Sequence, residues 1–585
     1  MLQSLKNLFE EIRKTGRGIK HLRFFQFADI KRAFAILSRR EKILVLCLTG
    51  ILLLDIGYTA ARFYINNTSS APAYGGSFTE GELGEPRLIN PIIAQSQTDK
   101  DLSKLVYSGL YKYGPDGKLV PDLAASDIQI SQDQHKYTIK LKPNLQWQDG
   151  QALTADDVIF TIQLIQNPDY RSPYRKLWSN ITAEKIDDLT IKLTNTGVSA
   201  PFITNLTIGI LPRHKWLGVT PDNFYYSAFN LEPVGSGPYF LKQITKTAVG
   251  DIKSMTLNSF SNYALGKPYI DSITMKFYAD NNDLMSALHT REIDTIGIAP
   301  FDGGIIYDPK NSNLKTTQIP LYEYQALFFN LSENKALADR TVRQALSLGL
   351  NRNALIKDVF SGFGEPAYTP ILPGQIGYDP GSAKANDGDI NAANAMLDQD
   401  GWVKGSDGIR VKGKDQLAFT ITTNDFDLNQ KTAQDLQKQW QALGAKVDIK
   451  VVPTSDLANT NLKNRDFEAL LFAESTGYDP DPFVFWHSSQ NKNPGFNLAQ
   501  YTNSAIDNII TDARTTFDPN QRAADYKQFQ DIFSIDMPAI ILDQTAFTYQ
   551  SRQNIQGIDA KALASPEDRF YDVNHWYIQT KRVFK

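Results

Sequence analysis

The 585-residue chain has almost no cysteine or histidine, and this scarcity excludes several kinds of site. It contains one cysteine, Cys47, and six scattered histidines. A single cysteine cannot form an intrachain disulfide, and isolated histidines give no metal-ligand spacing. Asp425, Asp427 and Asn429 have the spacing that opens a calcium loop, but the glycine at position six and the glutamate at position twelve are missing. We therefore predict no metal site.

Catalytic motifs are also missing. The sequence lacks G-x-S-x-G, H-E-x-x-H and G-x-x-x-x-G-K-[ST], which mark serine hydrolases, zinc proteases and phosphate-binding loops. Its lone cysteine lies in an apolar run, where no base is available to activate it. We therefore predict that the protein is not an enzyme and uses no cofactor.

Acidic residues are scarce at the start of the chain. Residues 1–42 hold eleven Lys and Arg against four Asp and Glu, so the net charge of −3 leaves −10 for the remainder. This acidic remainder argues against nucleic acid as a partner. The apolar run that follows, residues 43–61, contains one charge, Asp55, and nearly reaches the roughly 20 residues of a transmembrane helix. The positive-inside rule then places residues 1–42 in the cytoplasm and the large C-terminal portion outside the cell membrane.

Two other interpretations of the apolar run remain. A signal peptide could be cleaved near Ala71-Pro72-Ala73, but a basic region of 42 residues is too long for an ordinary one. Lipid attachment at Cys47 would normally follow a small residue, and Leu46 stands there instead. We favour an uncleaved single-pass anchor over residues 43–65, followed by a polar linker over residues 66–74.

Length and periodicity indicate a multi-lobed α/β protein. A chain of 585 residues is too long for one hydrophobic core. Alternation of Tyr137, Ile139 and Leu141 with lysines and threonine predicts a strand, and Thr154 with Asp157 predicts a capped helix after the Asp149-Gly150 turn. Further predicted helices cover residues 98–110, 281–291, 339–359, 389–400, 427–443, 502–514 and 520–535. Further predicted strands include 77–80, 292–294 and 322–330.

The order of the motifs resembles a known family. The sequence contains Glu85-Pro86 followed by Ile89-Asn90-Pro91, and then LVYSGLYKYGPDGKLVPDLAAS. It continues with KYTIKLKPNLQWQDGQALTADDV, PVGSGPY, NYALGKPYIDSITMKF, DRTVRQALSLGLNRNALI, NAMLDQDGW and LQKQWQALGAKVDI. In this order and spacing the motifs resemble the extracellular solute-binding proteins of family 5, the dipeptide-, oligopeptide- and nickel-binding receptors that feed ABC importers.

This resemblance implies a fold and a domain organisation. The implied fold is a two-lobed, hinged, periplasmic-binding-protein-like α/β fold of type II, in its large three-domain variety, preceded by one transmembrane helix. Lobe I would comprise residues 75–325 and a return segment, 541–585. Lobe II would be inserted between them as residues 326–540.

The resemblance also implies a first set of binding residues. The strand 77–80 and the loop 81–85 resemble the first ligand-binding segment of the family, which makes Glu80, Gly81 and Glu82 candidates. Backbone pairing to such a strand would suit a peptide ligand. The alternative is a structural edge strand and loop.

A second set lies in ESTGYDPDPFVFW, residues 474–486, which is similar to the "D..DPD.F" segment of the family. Peptide receptors of the family carry an aspartate there that pairs with the α-ammonium of the ligand, and the matching position is Thr476. Glu474 or Asp479 could substitute for the missing carboxylate, with Tyr478 beside them. Alternatively, Asp479 and Asp481 cap turns around the prolines.

Weaker candidates are Asn424, at the end of a predicted strand, and three tryptophans that could stack on a ligand. Trp178, Trp402 and Trp486 could equally be core residues. The combined hypothesis is a monomeric, membrane-anchored receptor that binds a solute, most simply a peptide, and delivers it to the permease subunits of an ABC importer. A receptor that signals across the membrane and a receptor for a non-peptide solute are the alternatives.

Overall fold

The computed structural model describes residues 35–298, 314–382, 387–552 and 555–585. The predicted cytoplasmic segment lies outside the described residues as far as residue 34. The described chain forms two compact units. One contains residues up to Ala71 together with Thr580–Lys585, and the other contains Pro72–Gln579.

The helices and strands are numbered here in chain order. The α-helices are α1 Arg39–Asn67, α2 Gln97–Val106, α3 Ala155–Gln166, α4 Arg175–Trp178, α5 Arg213–Trp216, α6 Pro221–Phe224, α7 Asn281–Thr290, α8 Lys335–Ala338, α9 Arg340–Leu348, α10 Arg352–Val359, α11 Ile390–Gln399, α12 Asp427–Gln441, α13 Thr454–Asp456, α14 Phe483–Trp486, α15 Ser504–Thr515 and α16 Pro519–Asp536. The strands are β1 Thr68–Ala73, β2 Ser77–Leu83, β3 Tyr111–Tyr113, β4 Leu119–Pro121, β5 Gln129–Ile130, β6 Lys136–Lys140, β7 Ile181–Asp187, β8 Thr190–Asn195, β9 Tyr239–Lys246, β10 Ile252–Ser259, β11 Ser272–Tyr278, β12 Thr295–Ile298, β13 Lys315–Phe329, β14 Glu365–Pro366, β15 Val403–Lys404, β16 Arg410–Lys412, β17 Asp415–Gln416, β18 Ala418–Asn424, β19 Lys446–Val452, β20 Ala469–Ser475, β21 Ala539–Ser551 and β22 Gln579–Phe584.

The first unit is built on α1. Ser38 caps this helix, because its hydroxyl accepts from the amide of Glu41 while the Glu41 carboxylate accepts from the amide of Ser38 at 2.8 Å. Its 29 residues span about 43 Å, more than the roughly 30 Å of a bilayer core. Within the described residues, α1 is one helix long and apolar enough to cross a membrane.

The second unit is organised around a mixed sheet. Among the described residues this sheet has eleven strands, in the order β19-β18-β20-β13-β21-β12-β2-β11-β10-β9, with β14 also paired to β21. The two longest strands, β13 and β21, pair antiparallel from Lys315 opposite Ser551 to Phe328 opposite Ala539. Every residue of β21 is buried, as expected for a strand covered on both faces.

Apolar clusters lie along this sheet. One large cluster draws on residues 78–321 and 547–576, whereas two others draw on residues 322–541 and 327–542. The predicted lobe boundaries at 325/326 and 540/541 fall inside β13 and β21. The chain therefore passes between these clusters along two paired strands.

The predicted strand, turn and capped helix are present. The strand is β6, and the helix is α3 with a capping box in which the amide of Thr154 donates to the Asp157 carboxylate at 2.9 Å. The turn is also present, with Gly150 at a φ of +87°. Short-range signals, namely the alternation, the glycine turn and the capping box, therefore predicted the elements of this region.

Five predicted elements need correction. The helix predicted over 98–110 ends at Val106, because the backbone is extended at Tyr107. The helix predicted over 339–359 is two helices, α9 and α10, because the chain turns at residues 349–351. The strand predicted over 292–294 begins at Thr295 instead. The predicted loop 81–85 is partly strand, since β2 continues to Leu83. The predicted linker 66–74 contains the end of α1 and the strand β1.

Candidate functional site

The second unit contains a cavity of about 350 Å³. Its walls come from helix α2, from α4 and the residue before it, from residues 204–209, and from two loops, 476–479 and 564–568. The lining includes Lys100, Ser103, Lys104, Tyr107, Tyr113, Trp178, Thr476, Gly477, Tyr478, Asp479, Glu567 and Asp568.

Helix α2 supplies three of these side chains, and Tyr107, the residue that caps its C-terminus, supplies a fourth. The helix begins after Ser96, whose hydroxyl accepts from the amide of Asp99 at 3.2 Å. The helical period of 3.6 residues then places Lys100, Ser103 and Lys104 on one side of the helix, and Tyr107 follows the last turn with extended backbone. The opposite side carries buried leucines and packs against the core. An amphipathic helix thus directs hydroxyl and ammonium groups into the cavity.

The two lysines of α2 have different environments. Lys104 forms an ion pair with Asp568 at 2.8 Å. Burial lowers the pKa of Lys104, but the Asp568 carboxylate outweighs this effect and raises it overall. Lys100 is half-buried and forms no ion pair with a described residue. Burial and the neighbouring Asp568 raise the pKa of Glu567, against the lowering effect of Lys100.

Two hydroxyl groups, one on α2 and one on the residue that caps it, have no partner among the described residues. The Ser103 hydroxyl and the Tyr107 hydroxyl are buried and make no hydrogen bond to a described residue. Burial raises the pKa of Tyr107, so its phenol stays protonated and can donate. An unpartnered buried hydroxyl costs roughly 1–3 kcal/mol, which a ligand acceptor would recover. We call Lys100, Ser103 and Tyr107 the donor face of the cavity.

The loop 476–479 forms part of the opposite wall. The amide of Thr476 donates to the carbonyl of Tyr322 at 2.8 Å, and the side chain of Gln375 donates to the Thr476 hydroxyl at 2.8 Å. The ring of Tyr478 stacks on Tyr113, with 3.8 Å between ring centroids and an interplanar angle of 25°. Gly477 has a φ of +70°, which allows the sharp turn that presents Tyr478.

The aspartates that follow are paired with arginines. Arg522 donates to Asp479 at 2.8 Å, and Asp479 also accepts from the amide of Asp481 at 3.2 Å. Arg514 lies 3.4 Å from Asp481, which does not line the cavity. Burial raises the pKa of Asp481, although Arg514 opposes the shift. Asp479 reaches the cavity, but its charge is already balanced.

Glu474 lies beneath the loop rather than in the cavity. It is 4% exposed, stands opposite Tyr324 in the β13–β20 pair, and its Oε2 has no hydrogen-bond partner among the described residues. Burial raises the pKa of Glu474 to about 8, and the neighbouring Tyr324 hydroxyl offsets this only in part. A carboxyl group that is mostly protonated at neutral pH cannot provide the negative charge expected of it.

The first predicted set, Glu80, Gly81 and Glu82, lies in the core. Arg569 donates to Glu80 at 2.7 and 3.0 Å, to Glu82 at 2.7 Å and to Asp101 at 2.6 Å. The second oxygen of Glu80 accepts from Tyr549 at 2.7 Å. A Cβ on Gly81 would lie 2.4 Å from a methyl group of Ile293, so apolar packing requires glycine there. These contacts favour the structural alternative.

Burial and the surrounding carboxylates act together on this network. Desolvation and the charge of Asp101 raise the pKa of Glu82 well above its usual value, although Arg569 opposes them. One guanidinium faces three acidic side chains, and this excess of acidic groups together with burial favours the protonated form of Glu82.

The remaining candidates are also packed inside the protein. Asn424 accepts from the amide of Phe426 at 3.3 Å and from the Asn429 side chain at 2.7 Å. Trp486 stacks on Phe328 and is 1% exposed. Trp402 is likewise core, and its indole donates to Asp339. Trp178 lines the cavity while remaining almost completely buried.

The predicted residues that reach the cavity are thus Trp178, Thr476, Tyr478 and Asp479. The donor face was missed, although part of its signal was present in the sequence. Lys100 and Ser103 are spaced i and i+3 in the predicted helix 98–110, and Lys104 follows on the same face. Tyr107 follows the end of the observed helix, so helical spacing does not predict its position. Glu567 and Asp568 lie in a loop without periodicity and gave no such signal.

Comparison with known proteins shows the family to which this arrangement belongs. A family model described as "Bacterial extracellular solute-binding proteins, family 5 Middle" matches residues 118–496. The chain is 28% identical over 559 residues to the oligopeptide-binding protein AppA of Bacillus subtilis, covering 92% of this chain and 99% of that protein.

Two solved structures are similar over most of their length. The substrate-binding protein CtaP of an ABC transporter from Listeria monocytogenes superposes with a TM-score of 0.73 at 27% identity, covering 86% of this chain and 99% of that one. The AppA of Bacillus subtilis, solved with a nonapeptide, gives a TM-score of 0.67 at 27% identity, covering 87% of this chain and 100% of that one. The fold is therefore the periplasmic-binding-protein-like α/β fold.

The matched segment is well over half of the chain, and the likeness extends over both solved structures almost completely. The relatives are substrate-binding receptors of ABC transporters and not enzymes. The chain belongs to the bacterial extracellular solute-binding proteins of family 5.

Proposed function

We propose that this protein is a membrane-anchored receptor that binds a short peptide through its carboxylate and delivers it to an ABC importer. The observation that carries the proposal is the donor face, where an ammonium and two buried hydroxyls converge on the cavity without partners among the described residues. Hydrogen bonds from such donors to a carboxylate are charge-assisted and short.

The size of the cavity supports a small ligand. Ligand pockets typically measure about 300–1,000 Å³, and 350 Å³ is near the lower limit. The related AppA of Bacillus subtilis was solved with a nonapeptide, which is far larger than a solute that this cavity would enclose. A peptide of two or three residues fits this volume better.

The loop 476–479 disfavours recognition of a free α-ammonium by an aspartate. Thr476 carries no charge, Asp479 is neutralised by Arg522, and Glu474 is buried away from the cavity. The ring of Tyr478 offers apolar surface instead. The amino end of the ligand therefore contributes less to affinity than the carboxylate, and N-blocked peptides are accepted.

Two lobes and a hinge complete the proposal. Lobe I comprises residues 75–325 and 541–585, and lobe II comprises residues 326–540, with β13 and β21 as the hinge. Tyr113 from the first segment stacks on Tyr478 from the inserted segment, so ligand binding would favour closure by adding contacts across the same gap. The closed form is the one that permease subunits recognise.

The anchor is residues 43–65, within α1, with residues 1–42 in the cytoplasm and the receptor outside. The length and apolar character of α1 support this topology. A single span keeps the receptor close to the importer and makes a freely diffusing pool unnecessary.

The experiment that tests the proposed function is mass spectrometry of solutes released from the purified, natively expressed protein. We expect a molecule of two or three amino-acid residues with a free carboxylate. Recovery of a sugar, or of long peptides whose affinity does not depend on the carboxylate, would contradict the proposal.

A further inference from the structure

The end of α1 is closed by a strand from the far end of the chain. Arg582 donates from Nη2 to the carbonyl of Ile65 at 2.8 Å and to the carbonyl of Thr68 at 3.1 Å, and from Nε to the Thr68 hydroxyl at 2.7 Å. The amide of Lys585 donates to the carbonyl of Asn67 at 2.9 Å. The last carbonyls of a helix have no partners within it, so these bonds hold β22 at the helix end.

The surface formed there is basic and aromatic. It contains the cations Arg62, Lys581, Arg582 and Lys585, while residues 56–73 and 579–585 contain no Asp or Glu. Phe63 and Phe584 are more than 60% exposed. We call residues 62–67 with 580–585 the juxtamembrane collar.

The aromatic rings of the collar are arranged around Arg582. The ring of Tyr64 lies edge-on to Phe584 with 6.1 Å between centroids, and the guanidinium of Arg582 lies 5.8 Å from the Tyr64 centroid. Tyrosine and tryptophan concentrate at membrane interfaces, where one end is apolar and the other wet, and long cationic side chains extend toward headgroups there.

The position of the collar along α1 identifies the partner. The apolar run ends at Ala61, so Arg62 and the residues after it lie beyond the hydrocarbon core if residues 43–61 cross it. The collar then stands at the depth of the lipid phosphates. Cations at that depth gain about 1 kcal/mol each from an anionic leaflet.

We propose that the juxtamembrane collar is a lipid-binding surface for anionic phospholipid headgroups, with Phe584 inserted at the interface and β22 as its second strand. This inference rests on the proposed membrane anchor. Strand β22 then has a role that is separate from the solute cavity. The collar tethers the receptor to the outer leaflet through two chain connections, after Ala71 and before Thr580.

The test places a probe on the collar of the full chain in nanodiscs. In a Cys47→Ser background, Phe584→Cys is labelled with an environment-sensitive nitrobenzoxadiazole ring, and quenching by doxyl-labelled lipid is measured. One set of discs contains phosphatidylcholine alone, and the other contains about 30% phosphatidylglycerol. The same label at Tyr226→Cys, a position that is 88% exposed in the second unit, serves as the control.

We expect quenching and a blue shift at position 584 in the phosphatidylglycerol discs, and neither at position 226. Lys581→Gln with Lys585→Gln should lower the ratio of docked to free collar roughly 10- to 30-fold, because two cations are lost and the Arg582 bonds remain. High salt should act in the same direction. Equal quenching in both kinds of disc, or none at position 584, would overturn the lipid-binding proposal.

A separate label distinguishes this failure from failure of the anchor. The native Cys47, exposed on α1, is labelled in the otherwise unchanged chain. Quenching at Cys47 without quenching at position 584 means that the helix spans the bilayer while the collar binds something else. No quenching at Cys47 means that the anchor itself is wrong, and the collar proposal fails with it.

Discussion

Two segments were predicted from the sequence to bind the ligand, and one lies in the core whereas the other lines a cavity. Residues 80–82 lie on a central strand, where three carboxylates of the core surround one guanidinium. The loop 476–479 follows the end of β20 and lines a cavity. The segment matched by the family model, residues 118–496, includes this loop and not residues 80–82. Motif resemblance suggested both segments, but burial distinguishes the one that lines a cavity from the one that lies in the core.

The comparison also separates two kinds of buried carboxyl group. Glu80 is completely buried, yet every hydrogen bond it needs is provided by Arg569, Tyr549 and Thr295. Glu474 and Asp543 are equally buried, but no described residue donates to Glu474 Oε2 or to either carboxylate oxygen of Asp543. The first kind has a complete set of hydrogen-bond donors, whereas for the second kind burial without such donors favours the neutral acid.

The largest effect should follow from breaking the network around residues 80–82. Arg569→Ala leaves three carboxylates without a counter-charge, so we expect the free energy of unfolding to fall by about 3–5 kcal/mol. Denaturant unfolding of the full chain in detergent, followed by tryptophan fluorescence, measures this loss. The matched control is Arg514→Ala, whose partly exposed pair with Asp481 should cost about 1 kcal/mol or less. Equal losses of unfolding free energy in Arg569→Ala and Arg514→Ala would contradict the distinction between the two regions.

A smaller effect on stability, which depends on pH, is expected from the two buried acids that lack donors, Glu474 and Asp543. The pKa values of Glu474 and Asp543 are about 8, against usual values of 4.5 and 3.8, mainly because of burial. The folded state therefore holds protons that the unfolded state releases, and the stability present below about pH 4 is lost as pH rises toward 8. The expected slope is roughly 1.4 kcal/mol per pH unit for each group.

Asp543→Asn should remove its share of this slope, so that its gain in stability over the natural chain rises by about 3 kcal/mol between pH 5.5 and pH 8. Gln325 lies opposite Asp543 in the β13–β21 pair, and its Oε1 has no partner among the described residues. The side-chain amide introduced at position 543 can donate a hydrogen bond to this oxygen. Thermal unfolding at pH 5.5 and pH 8 measures the change. A gain in stability that is no larger at pH 8 than at pH 5.5 would show that Asp543 is ionised and paired in solution.

Local sequence signals predicted much of the fold. The strand and capped helix around residues 136–166 were specified by alternation, by a glycine turn and by the Thr154–Asp157 box, all of which act over short distances. The helix predicted over 427–443 is α12, which ends at Gln441. The helices predicted over 502–514 and 520–535 are α15 and α16 within two residues.

The site was less predictable because its parts are distant in sequence. The partner of Glu80 is Arg569, which lies 489 positions away, and no motif near either residue predicts this ion pair. The same holds for Asp479, which is neutralised by Arg522, and for Tyr478, which stacks on Tyr113. Lys100 and Ser103 of the donor face were predictable in principle, since they need only the period of one helix, whereas Tyr107 follows the helix end. Which face of that helix meets solvent depends on the whole fold.

The most direct test of the central claim, that the donor face binds a ligand carboxylate, is the binding of one tripeptide in two forms. Isothermal titration would compare trialanine as the free acid with its C-terminal amide, for the natural chain and for Lys100→Ala. We predict that the acid binds at least about tenfold more tightly than the amide to the natural chain, and that Lys100→Ala removes most of this difference. Lys118→Ala, an exposed lysine outside the cavity, is the control. Equal affinity of acid and amide for the natural chain, or an unchanged preference in Lys100→Ala, would contradict the account.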